Sequence, residues 1–166
     1  MSRILLIIDL QKEFKDQYGM YEKTVNYCTK YYDEYDIVLP TLFCNNYDIN
    51  ANFRDKLNWT GCENVTSNSL TIYPKNSLNS NMVCFESKHG YASKQIFEVA
   101  DKDKDVIDIV GCDSDACVLA TAFKLWDEGY NFRILADYIY TTAKEYSNED
   151  IIKILKRNFG KCIIEG

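Results

Sequence analysis

The sequence predicts an α/β domain, a three-layer α/β/α sandwich in which helices cover both faces of a parallel sheet. Two observations carry this. Six short runs rich in β-branched residues are near-continuously apolar, the pattern of strands buried on both faces. Stretches with helical spacing lie between them, and that alternation builds a parallel sheet between two helical layers. The 166 residues are 46% hydrophobic, enough for one domain (1–166) with a real core.

In chain order the expected strands are RILLIID (3–9), DIVLPTLF (36–43), MVCFES (82–87), DVIDIVG (105–111), FRILAD (132–137) and CIIE (162–165). The expected helices are KTVNYCTKYYDEY (23–35), SKQIFEVAD (93–101), DACVLATAFKLWDEG (115–129) and NEDIIKILKRNFG (148–160). The last two end at glycine, a common helix stop, and Asn148 reads as the N-cap of the last. One segment, 44–81, breaks the regularity. It is polar and Asn-rich, and reads either as a lid or binding wall, or as an edge hairpin with a short helix.

Composition excludes several functions. A formal net charge of −6 argues against nucleic acid or an anionic membrane surface as partner. No apolar run approaches the ~20 residues of a membrane span, and the opening MSRILLIIDL reads as a buried strand rather than a signal peptide. A cytoplasmic protein is expected. The seven cysteines are odd in number and include no CxxC, so thiols are expected rather than a disulfide framework. Most of Cys28, Cys44, Cys62, Cys84, Cys112 and Cys162 read as small hydrophobes in or beside the core. No metal-cluster spacing is present.

Ligands of open parallel sheets sit beyond the carboxyl ends of the strands. Three chemically capable residues fall there: Asp9 after the first strand, Lys88 after the third, and Cys117 after the fourth, in the first turn of a helix. Each alone has a bland reading: a turn cap, a solvated loop charge, a small packing residue. Together they form a chemistry. A helix N-terminus and a nearby cation depress a thiol pKa, and Asp9 orients Lys88 and carries a proton in turn. The single histidine, His89, is next to Lys88, and neighbours in extended chain point to opposite faces.

These residues resemble the cysteine hydrolase superfamily often called isochorismatase-like, which includes nicotinamidases and N-carbamoylsarcosine amidases. LLIIDLQKEF (5–14) is similar to its first-strand motif, SKHGYAS (87–93) to the segment around its lysine, and GCDSDACVLATAF (111–123) to its nucleophile loop and helix. YNFRILADY (130–138) and IIKILKRNFGK (151–161) extend the resemblance over nearly the whole chain. It implies a six-stranded parallel sheet in Rossmann-like order and a catalytic set of Asp9, Lys88 and Cys117. It also implies a cis peptide at Cys112–Asp113 that turns the backbone N–H groups of Asp113 and Cys117 into an oxyanion hole. Phe14 and Tyr91, within the first two motifs, join Asn45 and Ser114 as candidate substrate-binding residues.

The chain also departs from the pattern. Nicotinamidases of this superfamily hold a metal through an Asp-x-His motif and a second His, and TLFCNNYDINANF (41–53) has no histidine. The stretch resembles metal-free relatives with T-x-F-x-N, matched by Thr41, Phe43 and Asn45. Ser114 stands where many members have threonine. The resemblance thus implies hydrolysis of a small-molecule amide through a thioester, with no metal or other cofactor, in a homodimer or higher homo-oligomer. Two alternatives stand beside it. One is an isochorismate-type vinyl-ether hydrolase, disfavoured because such relatives lack the Cys nucleophile and Arg54 is the one arginine of the 44–81 segment. The other is a non-catalytic binding protein on the same fold.

Overall fold

A computed structural model describes residues 1–76 and 85–166. In chain order it contains β1 (Arg3–Ile8), α1 (Met20–Tyr31), β2 (Ile37–Phe43), α2 (Asn52–Leu57), β3 (Lys75–Asn76), β4 (Glu86–Lys88), α3 (Ile96–Val99), β5 (Val106–Gly111), α4 (Cys117–Asp127), β6 (Phe132–Ile139), α5 (Asn148–Phe159) and β7 (Ile163–Ile164). Six strands run parallel in the order β4-β2-β1-β5-β6-β7. The two-residue β3 adds an antiparallel strand against the start of β2, pairing Ile37 with Asn76.

The central strands read as near-continuous apolar runs because alternate residues feed two different cores. Ile4, Leu6 and Ile8 of β1 pack with Val118, Ala122 and Leu125 of α4 and with Ile151, Leu155 and Phe159 of α5. Leu5 and Ile7 face the other way, toward Tyr21 and Cys28 of α1 and toward Tyr35. The chain leaves β1 toward one edge of the sheet and β5 toward the other, so the ends of β1 and β5 form a switch point.

Helix ends differ from expectation for local reasons. Helix α1 starts at Met20, because the Tyr21 N–H donates to Asp16 Oδ1 (2.8 Å) and Gly19 turns the chain at φ 78°. It then tightens into a 3₁₀ turn over Tyr32–Glu34. Only one turn, α3, forms within 93–101. Ser147, not Asn148, caps α5: its Oγ accepts the Asp150 N–H at 3.1 Å. Asn148 instead donates to Ile139 O (2.9 Å) and accepts from Ser114 Oγ (2.9 Å), tying the helix start to the ends of β6 and β5. The third expected strand is seen as Glu86–Lys88, its residues 82–84 lying outside the described residues. Among the described residues no helix is long and apolar enough to cross a membrane.

Gly111 closes β5 at φ 112°, and a Cβ there would sit 2.0 Å from the Ile8 carbonyl oxygen. Backbone cannot yield as a flexible side chain does, so Gly111→Ala is expected to cost more than about 3 kcal/mol, read from the denaturant midpoint. An unchanged midpoint would show that the β1–β5 seam is looser than this.

Cys28 and Cys112 are fully buried, Cys44, Cys62 and Cys162 are partly buried, and Cys84 lies outside the described residues. Burial pushes the Cys28 thiol up to about 12, and pushes Cys112 well above its ordinary value, with the Asp113 charge adding to it. Both native thiols therefore keep their protons where unfolded ones, near 8.5, lose theirs. Their contribution is fully present below about pH 8.5 and is lost above it. Each loses about 1.4 kcal/mol by about pH 9.5, so these two thiols together lower unfolding stability by about 3 kcal/mol between pH 7 and 9.5. The Cys62 and Cys117 thiols, also pushed up by burial, add to the fall. Cys28→Ala should make the fall about 1.4 kcal/mol smaller; an unchanged fall would contradict the assignment.

Candidate active site

Asp9 follows the last residue of β1 in the left-handed region (φ 47°), which aspartate and asparagine tolerate better than branched residues. Its N–H donates to Thr41 Oγ1 (2.9 Å), whose own hydroxyl donates to Asp9 Oδ1 (2.5 Å). This closed pair crosses from β1 to β2 and fixes the carboxylate. Asp9 Oδ2 lies 2.8 Å from Lys88 Nζ, with both side chains 1% exposed or less. Lys88 also donates to the carbonyls of Gly90 (3.0 Å) and Tyr91 (2.7 Å). Burial is the largest single influence and would lower the Lys88 pKa, but the Asp9 charge together with the Cys117 sulfur outweighs it, and the net shift is upward. The ammonium is held charged.

Cys117 opens α4 after a cis Cys112–Asp113 peptide. The loop is pinned by Ser114 N–H on Tyr140 O (2.8 Å), and by the N–H groups of Ala116 and Val118 on Asp113 O. Among the described residues, the N–H groups of Asp113 and Cys117 donate to no backbone carbonyl. They are free for a ligand oxygen.

The Cys117 thiol interacts with both Asp9 and Lys88. Burial pushes its pKa up, the Asp9 charge adds to this, and Lys88 opposes it without prevailing. The depressed thiol expected from sequence is thus not the resting state. The helix N-terminus and the cation are both in place, but Asp9 compensates Lys88 and desolvation exceeds what remains.

A cavity of about 650 Å³ opens over Cys117. Phe14, Phe43, Phe53, Trp59 and Tyr91 form its apolar wall. Phe43 and Phe53 meet edge to face at 5.0 Å, as do Phe53 and Tyr91. Phe14 and Trp59 lie nearly parallel, 14° apart with centroids at 6.4 Å. The polar side carries Glu13, Lys15, Asp113 and Thr142. A neighbouring cavity of about 570 Å³ shares Lys15 and Thr142 but is lined by none of Asp9, Lys88 and Cys117.

Of the four candidate substrate contacts, Phe14 and Tyr91 line the cavity over Cys117 and the other two do not. Asn45 is buried, with Nδ2 donating to the carbonyls of Trp59 (3.3 Å) and Gly61 (3.2 Å), and so it shapes the wall from behind. Ser114 is buried and donates to Asn148. His89 is engaged through Nδ1 with the Cys44 carbonyl (2.8 Å). Sequence reasoning gave no role to Thr41, Phe53, Trp59 or the Asp113 side chain. A hydroxyl inside an apolar strand was the available signal for Thr41, and isolated aromatics in a polar segment for the other two rings. The 44–81 segment combines a short helix, an edge strand and this wall, with 77–81 outside the described residues.

Solved structures share this architecture. A pyrazinamidase/nicotinamidase from Streptococcus mutans matches at 19% identity, covering 98% of this chain and 100% of its own, with a TM-score of 0.73. An isochorismatase-like hydrolase from Alkaliphilus metalliredigens matches at 16% identity, 95% and 92% coverage and 0.66. A pyrazinamidase of Pyrococcus horikoshii in complex with zinc matches at 18% identity, 100% and 99% coverage and 0.66. The residues here do not fit such an ion: among the described residues no group of three or more His, Cys, Asp or Glu side chains is placed to hold one. No curated protein matches the sequence. The isochorismatase domain family model, however, matches residues 3–163. The chain therefore belongs to the isochorismatase family, and shares its fold with the hydrolases named above.

Proposed function

We propose that this protein is a cysteine-dependent hydrolase of small-molecule amides. The observation that carries the reading is the buried Asp9–Lys88 pair, 2.8 Å apart at the strand ends beside the Cys117 helix start, with Cys117 lining the cavity. Cys117 gives its proton to Asp9 as the sulfur attacks the amide carbonyl. The N–H groups of Asp113 and Cys117 receive the carbonyl oxygen as it becomes an oxyanion. Asp9 passes the proton to the departing nitrogen, leaving a thioester on Cys117. Water then loses a proton to Asp9 and attacks the thioester, and that proton returns to the leaving sulfur. Lys88 keeps Asp9 in place and offsets negative charge at each stage.

The aromatic wall favours a flat acyl group. Phe14 and Trp59 present near-parallel rings, and Phe53 meets Phe43 and Tyr91 edge to face, so the wall offers flat ring surfaces against which a planar group stacks. Nicotinamide and pyrazinamide, the amides implied by the names of the similar structures, are of this kind. The test is ammonia release from a panel of planar and aliphatic primary carboxamides. Turnover of a planar member that disappears in Cys117→Ala is expected. No release from any of them, or release that persists in the variant, would overturn the reading.

A further inference from the structure

Asp113 does more than lend its N–H. Its carboxylate lines the cavity over Cys117, where Oδ1 accepts the Thr142 N–H (2.7 Å) and Oδ2 the Thr142 hydroxyl (3.0 Å). Two bonds leave further acceptor capacity on the same group. A fixed negative charge at the residue whose N–H receives a developing oxyanion works against that oxyanion. A cationic group on the substrate offsets the opposition.

The rest of the cavity agrees. Glu13 supplies a second carboxylate, anchored by the Ser69 hydroxyl at 2.6 Å. Lys15 is the one cation among the lining residues, and Glu22 holds its Nζ at 2.5 Å. Lys88, beneath, is compensated by Asp9. The same cavity is lined by a group of aromatic rings, whose faces attract cations. Carboxylates and aromatic rings lining one cavity are the chemistry that receives an organic cation.

We propose that the cavity selects amides carrying a positive charge close to the scissile carbonyl, an ammonium or pyridinium for example, and that the Asp113 side chain sets this preference. The proposal rests on the hydrolase reading in taking this cavity as the place where the amide binds and the Asp113 N–H as a donor to its oxyanion.

Asp113→Asn tests it, because the asparagine oxygen still accepts the Thr142 N–H and its NH₂ donates to the Thr142 hydroxyl. The tether stays and the charge goes. Three methanethiosulfonates of different charge serve as probes: the trimethylammonioethyl, methyl and sulfonatoethyl reagents. In each case the Cys117 sulfur, after losing its proton, displaces methanesulfinate and forms a mixed disulfide, followed at Cys117 by peptide mass spectrometry. Relative to rates on free cysteine, the cationic reagent is expected to outpace the anionic one by about tenfold or more, and Asp113→Asn to shrink that ratio to about threefold or less. Equal rates, a ratio the variant leaves alone, or no reaction with the cationic reagent would each overturn the proposal. These rates need no hydrolysis, so they rank the charge preference even if no amide is turned over, a result that would instead overturn the hydrolase reading. Where amides are turned over, kcat/KM for 3-carbamoyl-1-methylpyridinium relative to nicotinamide should fall about tenfold in Asp113→Asn; an unchanged ratio counts against the proposal.

Discussion

Cys117→Ala is expected to lower kcat for amide hydrolysis by at least about 10⁴-fold, because it removes the atom that forms the thioester. Cys117→Ser should do nearly as badly. A hydroxyl is far less acidic than a thiol, and Asp9 is placed for a proton that moves easily. Neither change should alter folding much: Cys117 is partly exposed to the cavity, so the cost in unfolding free energy should stay within about 1 kcal/mol. Activity loss without stability loss separates a chemical role from a packing role. If activity survived in Cys117→Ala, Cys117 would be a packing residue and the site would need another nucleophile.

The second large effect is on stability as well as rate. Asp9→Asn suits the left-handed backbone at this position and can still accept the Thr41 hydroxyl. What changes is charge. Lys88 would then be a buried ammonium facing two carbonyls and an uncharged amide, and stripping one partner from a buried ion pair costs about 3–5 kcal/mol. With the Asp9 charge gone, burial is the strongest remaining influence on Lys88 and drives its folded pKa below the unfolded value near 10.4. In that window the unfolded chain binds more protons than the native one. The deficit relative to the parent protein should therefore shrink as pH rises toward about 10. Activity should fall by about 10³-fold, the share of a general acid–base group. Denaturant unfolding of both proteins at pH 7 and 9.5 checks the sign; a deficit that grows with pH would mean that Lys88 is not the group left unpaired.

The structure explains why some features could be read from the chain and others could not. Strands β1, β2 and β5 are visible because burial on two faces leaves few polar residues within them, Thr41 and Asp108 being the buried exceptions. The three chemical groups followed because strand ends and helix starts fix where a side chain is delivered. The helix starts were harder. Asp16 with Gly19, and Ser147 rather than Asn148, act through single hydrogen bonds that leave no periodic trace. The wall built from 44–76 was hidden for the same reason, since side chains on backbone, such as Asn45 on Trp59 and Gly61 or Gln11 on the Phe43 N–H (2.7 Å), hold it in place. The protonation state of Cys117 depends on how deeply the folded chain buries it and on Asp9 being within reach. Those are properties of the assembled site. A motif supplies the groups, and the fold sets their charge.

The most direct measurement is to stop turnover of a hydrolysed amide with acid within milliseconds to seconds and weigh the Cys117 peptide. The account predicts a transient mass increase equal to the acyl group on Cys117, which decays with turnover. Turnover with no adduct on that peptide, on a timescale that resolves a single catalytic cycle, would contradict it.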